Sequence, residues 1–121
     1  MDIDVLNKEK QNKIAIITTE EVIIKNVDTA LDFMMNIQYE NDCSNIIINK
    51  GAFSEDFFDL STKIAGEVLQ KFVNYDVRIA IVGDFSVYNS KSLNDFIFEC
   101  NNGKNIFFVK NNEAAIEKLS V

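Results

Sequence analysis

Three short apolar runs restrict the fold of this chain more than any other feature. They lie in "NIIIN", "RIAIV" and "NIFFV", and longer segments with apolar residues at helical spacing separate them. Strand–helix alternation of this kind implies right-handed crossovers and a mostly parallel sheet covered by helices. Three consecutive isoleucines cannot be half-exposed at a period of two, so the first run is expected to be buried on both faces.

The remaining segments extend the pattern in both directions. "DIDVLNKE" sets apolar Ile3, Val5 and Leu6 among polar residues, and "KIAIITT" follows the polar "KEKQN". This predicts an opening hairpin with its turn in residues 7–12. Residues 20–26, "EEVIIKN", fit either a short strand or a helical turn. Residues 27–42 predict a helix with Val27, Ala30, Leu31, Met34 and Gln38 at helical spacing and Asp28 as N-cap or first-turn acid. Residues 54–76 predict a long helix carrying Phe57, Leu60, Ile64, Ala65, Val68, Leu69, Phe72 and Val73 on one broad face. Residues 89–103 predict a third, capped by Ser90 or Asn89 and closed by Gly103 in the left-handed conformation; its Leu93, Phe96, Ile97 and Cys100 face inward. "NEAAIEKL" ends the chain as a short helix. The expected architecture is α/β, a single mixed, mostly parallel sheet flanked by helices in the order β-β-α-β-α-β-α-β-α. One domain spans residues 1–121.

Composition narrows the function classes. Apolar residues make up 47% of the chain and Phe alone contributes ten, which excludes a disordered segment. No apolar run approaches a membrane span, and the acidic start "MDID" lacks a signal segment, so the expectation is a soluble, cytoplasmic protein. The net charge of −7 disfavours nucleic acid and anionic membranes, which both reward clustered cations. The densest cationic group, Lys8, Lys10 and Lys13, falls at the expected hairpin turn and reads as a solvated loop. A protein partner is therefore expected. The chain contains no His, which removes His triads, His general bases and His-containing metal sites. Its two cysteines, Cys43 and Cys100, are remote in sequence and read as thiols in a reducing compartment. No cofactor and no transition metal are expected, whereas a carboxylate-bound Mg²⁺ or Ca²⁺ stays open.

Several stretches carry a family likeness. Ile37-Gln38-Tyr39-Glu40, "AGEVLQKFVNYDVRIAIVGDFS" (65–86) and "KSLNDFIFECNNG" (91–103) together resemble a bacterial family known as domain of unknown function 4180. The resemblance covers most of the chain and implies no activity. In that family a Gly often stands where this chain has Lys63. The element order is also similar to that of STAS domains, the anti-sigma-factor antagonists. There, an Asp-Ser-Ser-Gly turn opens a helix, and a Ser of the turn is phosphorylated by a partner kinase. Here Asp59-Leu60-Ser61-Thr62 stands in the corresponding place. The resemblance implies a STAS-like fold, with Asp59 at the family's Asp and Ser61 at the phosphorylated Ser. Leu60 and Thr62 depart from the motif.

Two candidate sites follow, each with a structural counterpart. Ser61 is the candidate phosphorylation site, because unpaired N–H groups at a helix start favour a phosphate; alternatively, Asp59 or Ser61 simply caps the helix. The second candidate is the crevice at the carboxyl ends of the parallel strands, where open α/β sheets usually bind ligands. Its residues are Asn49, Lys50, Asp84, Ser86 and Tyr88, with Gly51, Gly83, Lys110 and Asn111 beside them. Lys50 would supply a cation and Asp84 an acceptor, and the alternative is a solvated rim. "VGDFS" lacks the repeated glycines of a phosphate loop. No catalytic residue is assigned: Glu55/Asp56 and Glu20/Glu21 are sequence neighbours that do not face each other, and a Ser nucleophile would lack a His base. Gly66 is expected to permit close helix–sheet packing. Phe33, Ile37 and Phe98 fall off the main apolar stripes, so they form either a partner or homodimer face or a widened buried face. The expectation is a non-enzymatic regulatory or protein-interaction domain; the alternative is a small-ligand-binding domain.

Overall fold

The computed structural model describes residues 1–7 and 13–120 of the chain. Five strands form one sheet in the order β1-β2-β3-β4-β5, namely Asp2–Asn7, Lys13–Thr18, Asn45–Asn49, Arg78–Val82 and Ile106–Val109. β1 pairs antiparallel with β2, and β2 to β5 are parallel neighbours. The expected α/β class and mixed, mostly parallel sheet are thus observed. The turn expected within residues 7–12 lies, from residue 8 onward, outside the described residues.

Strand order and handedness decide where the helices go. Each parallel strand is laid directly beside its predecessor, so successive right-handed crossovers bring their helices to the same face. These are α1 (Val27–Asn41), α2 (Ile64–Asn74) and α3 (Lys91–Asn101). Their Ala30, Phe33, Met34, Ile37, Val68, Leu69, Phe72 and Leu93 share one core with Ala15, Ile17, Ile46, Ile48, Ile79, Ile81 and Phe108 of the sheet. The opposite face is covered by α4 (Asn112–Leu119), whose Ala115 and Leu119 pack on Ile14, Ile47, Ala80 and Phe107. The triple-Ile strand is therefore buried on both faces, with Ile46 and Ile48 on one side and Ile47 on the other.

Capping residues explain several helix boundaries. Asn26, rather than Asp28, is the N-cap of α1: its side chain accepts from the Thr29 N–H, and the Thr29 hydroxyl accepts from the Asn26 N–H. Asp28 lies in the first turn, where its charge suits the helix dipole. Ser90 caps α3 by accepting from the Leu93 N–H, and Asn111 caps α4 by accepting from the Ala114 N–H. Gly103 does not close α3 in the left-handed region, since no glycine among the described residues has positive φ. Phe33 and Ile37 widen the buried face of α1, whereas Phe98 is exposed on α3. Within residues 20–26, Ile24 makes a single parallel bridge to Phe53.

The largest departure from expectation is the segment before α2. The helix expected from residue 54 does not start there: after a 3-10 turn at Lys50–Ala52, residues 54–62 hold two more, Glu55–Phe58 and Leu60–Thr62. Lys63 then adopts φ 67°, and α2 begins at Ile64. A left-handed residue cannot continue a right-handed helix, so helical spacing in the sequence misleads here. It is also the conformation a glycine adopts without steric cost, consistent with the Gly that the family resemblance puts at this position.

Gly66 corrects a second expectation. It is exposed in the first turns of α2, and a Cβ built on it would meet nothing within 4 Å. Close packing is not its role, so its backbone entropy is an uncompensated cost. Gly66→Ala is expected to raise stability by about 0.5–1 kcal/mol in urea unfolding. A fall in stability would show that the small residue is needed.

Candidate functional site

The residues singled out in the sequence lie where β3 and β4 end and in the connections that leave them. β3 ends at Asn49, whose side chain bonds the backbone of Thr19, the residue after β2. Its Oδ1 accepts from the Thr19 N–H at 2.9 Å and its Nδ2 donates to the Thr19 carbonyl at 2.8 Å. Asn49 therefore ties the end of β3 to the residue after β2, and these two bonds fix its side chain toward Thr19.

Lys50 comes next and turns toward β4. Its stem lies so close to Gly83 that a Cβ there would sit 2.6 Å from the Lys50 Cβ. The ammonium stands 4.5 Å from the centre of the Tyr88 ring and donates to the Asp84 carbonyl at 3.3 Å. Such cation–aromatic contacts contribute about 0.5–1 kcal/mol at exposed sites. Tyr88 stacks on Phe58 with centroids 5.2 Å apart, and its hydroxyl donates to a Glu55 carboxylate oxygen over a long 3.4 Å. Phe58 extends the ring contacts to Phe57 and Phe53 on one side and to Phe85 on the other, and Phe85 continues them to Phe108.

Asp84 and Ser86 form a tight local turn. The Asp84 Oδ1 accepts from the Ser86 N–H at 3.0 Å and from its hydroxyl at 2.6 Å. These two bonds, the hydroxyl first, hold the Asp84 carboxyl below the usual aspartate range, and Lys50 and Lys110 add to the effect. A carboxyl whose folded pKa is depressed contributes stability above its unfolded pKa. That stability is lost as pH falls through the folded value. We expect the Asp84 carboxyl resonance to titrate below that range and Ser86→Ala to move its midpoint upward. An unchanged midpoint in the variant would show that the hydroxyl does not hold the charge.

The same turn recurs at Ser61. The Asp59 Oδ1 accepts from the Ser61 N–H at 3.0 Å and from its hydroxyl at 2.7 Å, which likewise lowers the Asp59 pKa. Ser61 is exposed and lies in the last 3-10 turn, separated from α2 by the left-handed Lys63. It is therefore one turn outside the helix and does not cap it. Thr62 stabilises this turn, its hydroxyl lying 2.8 Å from the carbonyls of both Asp56 and Asp59.

The structure thus groups Lys50, Asp84, Ser86 and Tyr88, and it leaves Asn49 out. Strand order limits the grouping as a ligand cleft. A crevice opens where neighbouring crossover helices depart to opposite faces of a sheet, and α1 to α3 all lie on one face. The Lys50 stem further covers the Gly83 backbone that might have approached a ligand. Phe58 and Glu55 are the neighbours that helical spacing hid, because both lie in the 3-10 turns misread as α-helix. Burial raises the Cys43 thiol pKa and pushes that of Cys100 up to about 11, so neither is an activated nucleophile. No helix among the described residues is long and apolar enough to cross a membrane.

The sequence model of a family described as a domain of unknown function (DUF4180) matches residues 9–119. No curated protein and no solved structure matches the chain.

Proposed function

The chain belongs to the DUF4180 family, and from that membership, which brings no activity with it, we propose a non-enzymatic regulatory or protein-interaction domain of STAS-like type, controlled by phosphorylation of Ser61. The observation that carries this reading is the exposed Ser61 hydroxyl, held 2.7 Å from the Asp59 carboxylate in the turn between β3 and α2. A kinase acting there forms a bond from Ser61 Oγ to the phosphorus of a nucleoside triphosphate and releases the nucleoside diphosphate. The hydroxyl proton that bonded Asp59 is lost, and a group carrying about two negative charges replaces it. Asp59 then changes from hydrogen-bond acceptor to repelling neighbour, with Glu55 and Asp56 in the same segment. The turn opens, and the surface offered to a partner changes. The sheet and its helices stay intact because Phe57 and Phe58 anchor the segment in the core, while Ser61 lies on its exposed side.

The test has two arms. In protein isolated from its native source, the phosphate should map to Ser61. Amide exchange across residues 55–63 should be faster in Ser61→Glu than in Ser61→Ala. Phosphate on Ser86 instead, or equal exchange in both variants, sinks the proposal. The grouping of Lys50 over Tyr88 beside Asp84 favours the second reading, a small-ligand site at the strand ends. A metabolite retained through purification and released by Lys50→Ala would support that reading.

A further inference from the structure

At the opposite end of the sheet, a cavity of about 640 Å³ opens beside the amino ends of β4 and β5. Its volume falls within the range of small-molecule sites. Arg78, Lys104, Asn105, Phe107, Glu117 and Lys118 line it. Among the described residues, three of the chain's 12 cationic residues line this spot beside one carboxylate, Glu117, in a protein whose net charge is −7.

Each cationic residue reaches the cavity from a different element. Arg78 is the first residue of β4 and serves as scaffold. Its Nε donates to the Lys104 carbonyl at 2.9 Å, and its terminal nitrogens donate to the Lys118 and Leu119 carbonyls at 3.1 and 3.4 Å. The guanidinium thus pins the α3–β5 loop to the last carbonyls of α4. Lys104 stands on that loop and Lys118 in the last turn of α4, both exposed. Among the described residues the ion pairs are Lys13–Asp42 and Lys91–Asp95, and neither Lys104 nor Lys118 takes part in one with them. A lysine in the last turn of a helix is ordinary, since it suits the dipole. A second lysine brought to the same cavity by an arginine clamp, with Arg78 and Lys118 both lying over the buried Phe107 ring, is not explained that way.

We propose that this cavity binds a small organic anion, a carboxylate or phosphate monoester carrying a flat apolar body. The Lys104 and Lys118 ammoniums take the anionic head and Asn105 a neutral oxygen, while the flat body rests on the Arg78 guanidinium, which lies 5.9 Å over the buried Phe107 ring. Two lysines and this volume suit one small molecule. A nucleic acid would need many more phosphates neutralised together.

The test is an amide-resolved NMR titration of the whole chain with phenyl phosphate, with inorganic phosphate in parallel. Shifts are expected at Lys104, Asn105, Phe107 and Lys118, with phenyl phosphate binding the tighter of the two. Lys104→Gln with Lys118→Gln should weaken phenyl phosphate by about tenfold or more, because charge-assisted hydrogen bonds are lost. Both side chains are exposed, so the double variant should keep the wild-type spectrum elsewhere. Equal affinity for the two phosphates, shifts centred on Lys50 and Asp84 instead, or undiminished binding by the double variant overturns the proposal.

Discussion

Phe57→Ala is expected to cost about 3–5 kcal/mol of unfolding free energy, much of what a domain of this size has to lose. Phe57 is 1% exposed. Its ring centre lies 4.5 Å from that of Phe53 and 5.0 Å from that of Phe58. Truncation removes a large apolar surface and two ring contacts and leaves a cavity that 3-10 turns are poorly able to close. These turns make few main-chain bonds of their own, so their position depends on the rings beneath them. The loss should spread to the surface grouping, because Phe58 carries the stacked Tyr88 and Tyr88 carries the Lys50 ammonium. Urea unfolding gives the free energy, and near-ultraviolet circular dichroism reports the aromatic packing. A loss below about 1 kcal/mol would place the segment's stability elsewhere.

The second large effect is expected at Gly83. Gly83→Ala should destabilise by about 1–3 kcal/mol, the usual cost of inserting a methyl group into filled space. The added Cβ would sit 2.6 Å from the Lys50 Cβ and 3.0 Å from its Cδ. The flexible end of Lys50 can move away, but its Cβ is fixed to the backbone at the first residue of the first 3-10 turn, directly after β3. The backbone angles of Gly83 are not the cause, since no described glycine has positive φ. Two double variants separate the contacts. Lys50→Ala removes the outer stem but keeps the Cβ, so it should rescue Gly83→Ala poorly. Lys50→Gly removes the Cβ and should give clear favourable coupling in a double-mutant cycle. Equal rescue by both would show that the outer stem dominates the clash.

Both effects arise from contacts between segments distant in sequence, and this marks what could be read in advance. The sequence by itself determined the α/β class, the strands at β3, β4 and β5, their parallel pairing and the double-sided burial of Ile46, Ile47 and Ile48. These depend on short-range signals: apolar runs, helical spacing, caps such as Ser90, and the geometric need of a parallel pair for a crossover. It also placed Lys50, Asp84, Ser86 and Tyr88 near one end of the sheet, because strand ends are fixed once strands are. Tertiary structure alone decided the rest. It broke the start of the expected helix, residues 54–63, into 3-10 turns ending at a left-handed lysine, which carries no glycine or proline signal. It spent Asn49 on Thr19, and it laid the Lys50 stem on Gly83. It also brought Lys104 and Lys118 to one cavity through Arg78, although the two lysines lie on separate elements with β5 between them. Such contacts follow from how layers stack and which side chain reaches which carbonyl, and residue spacing along the chain does not encode that.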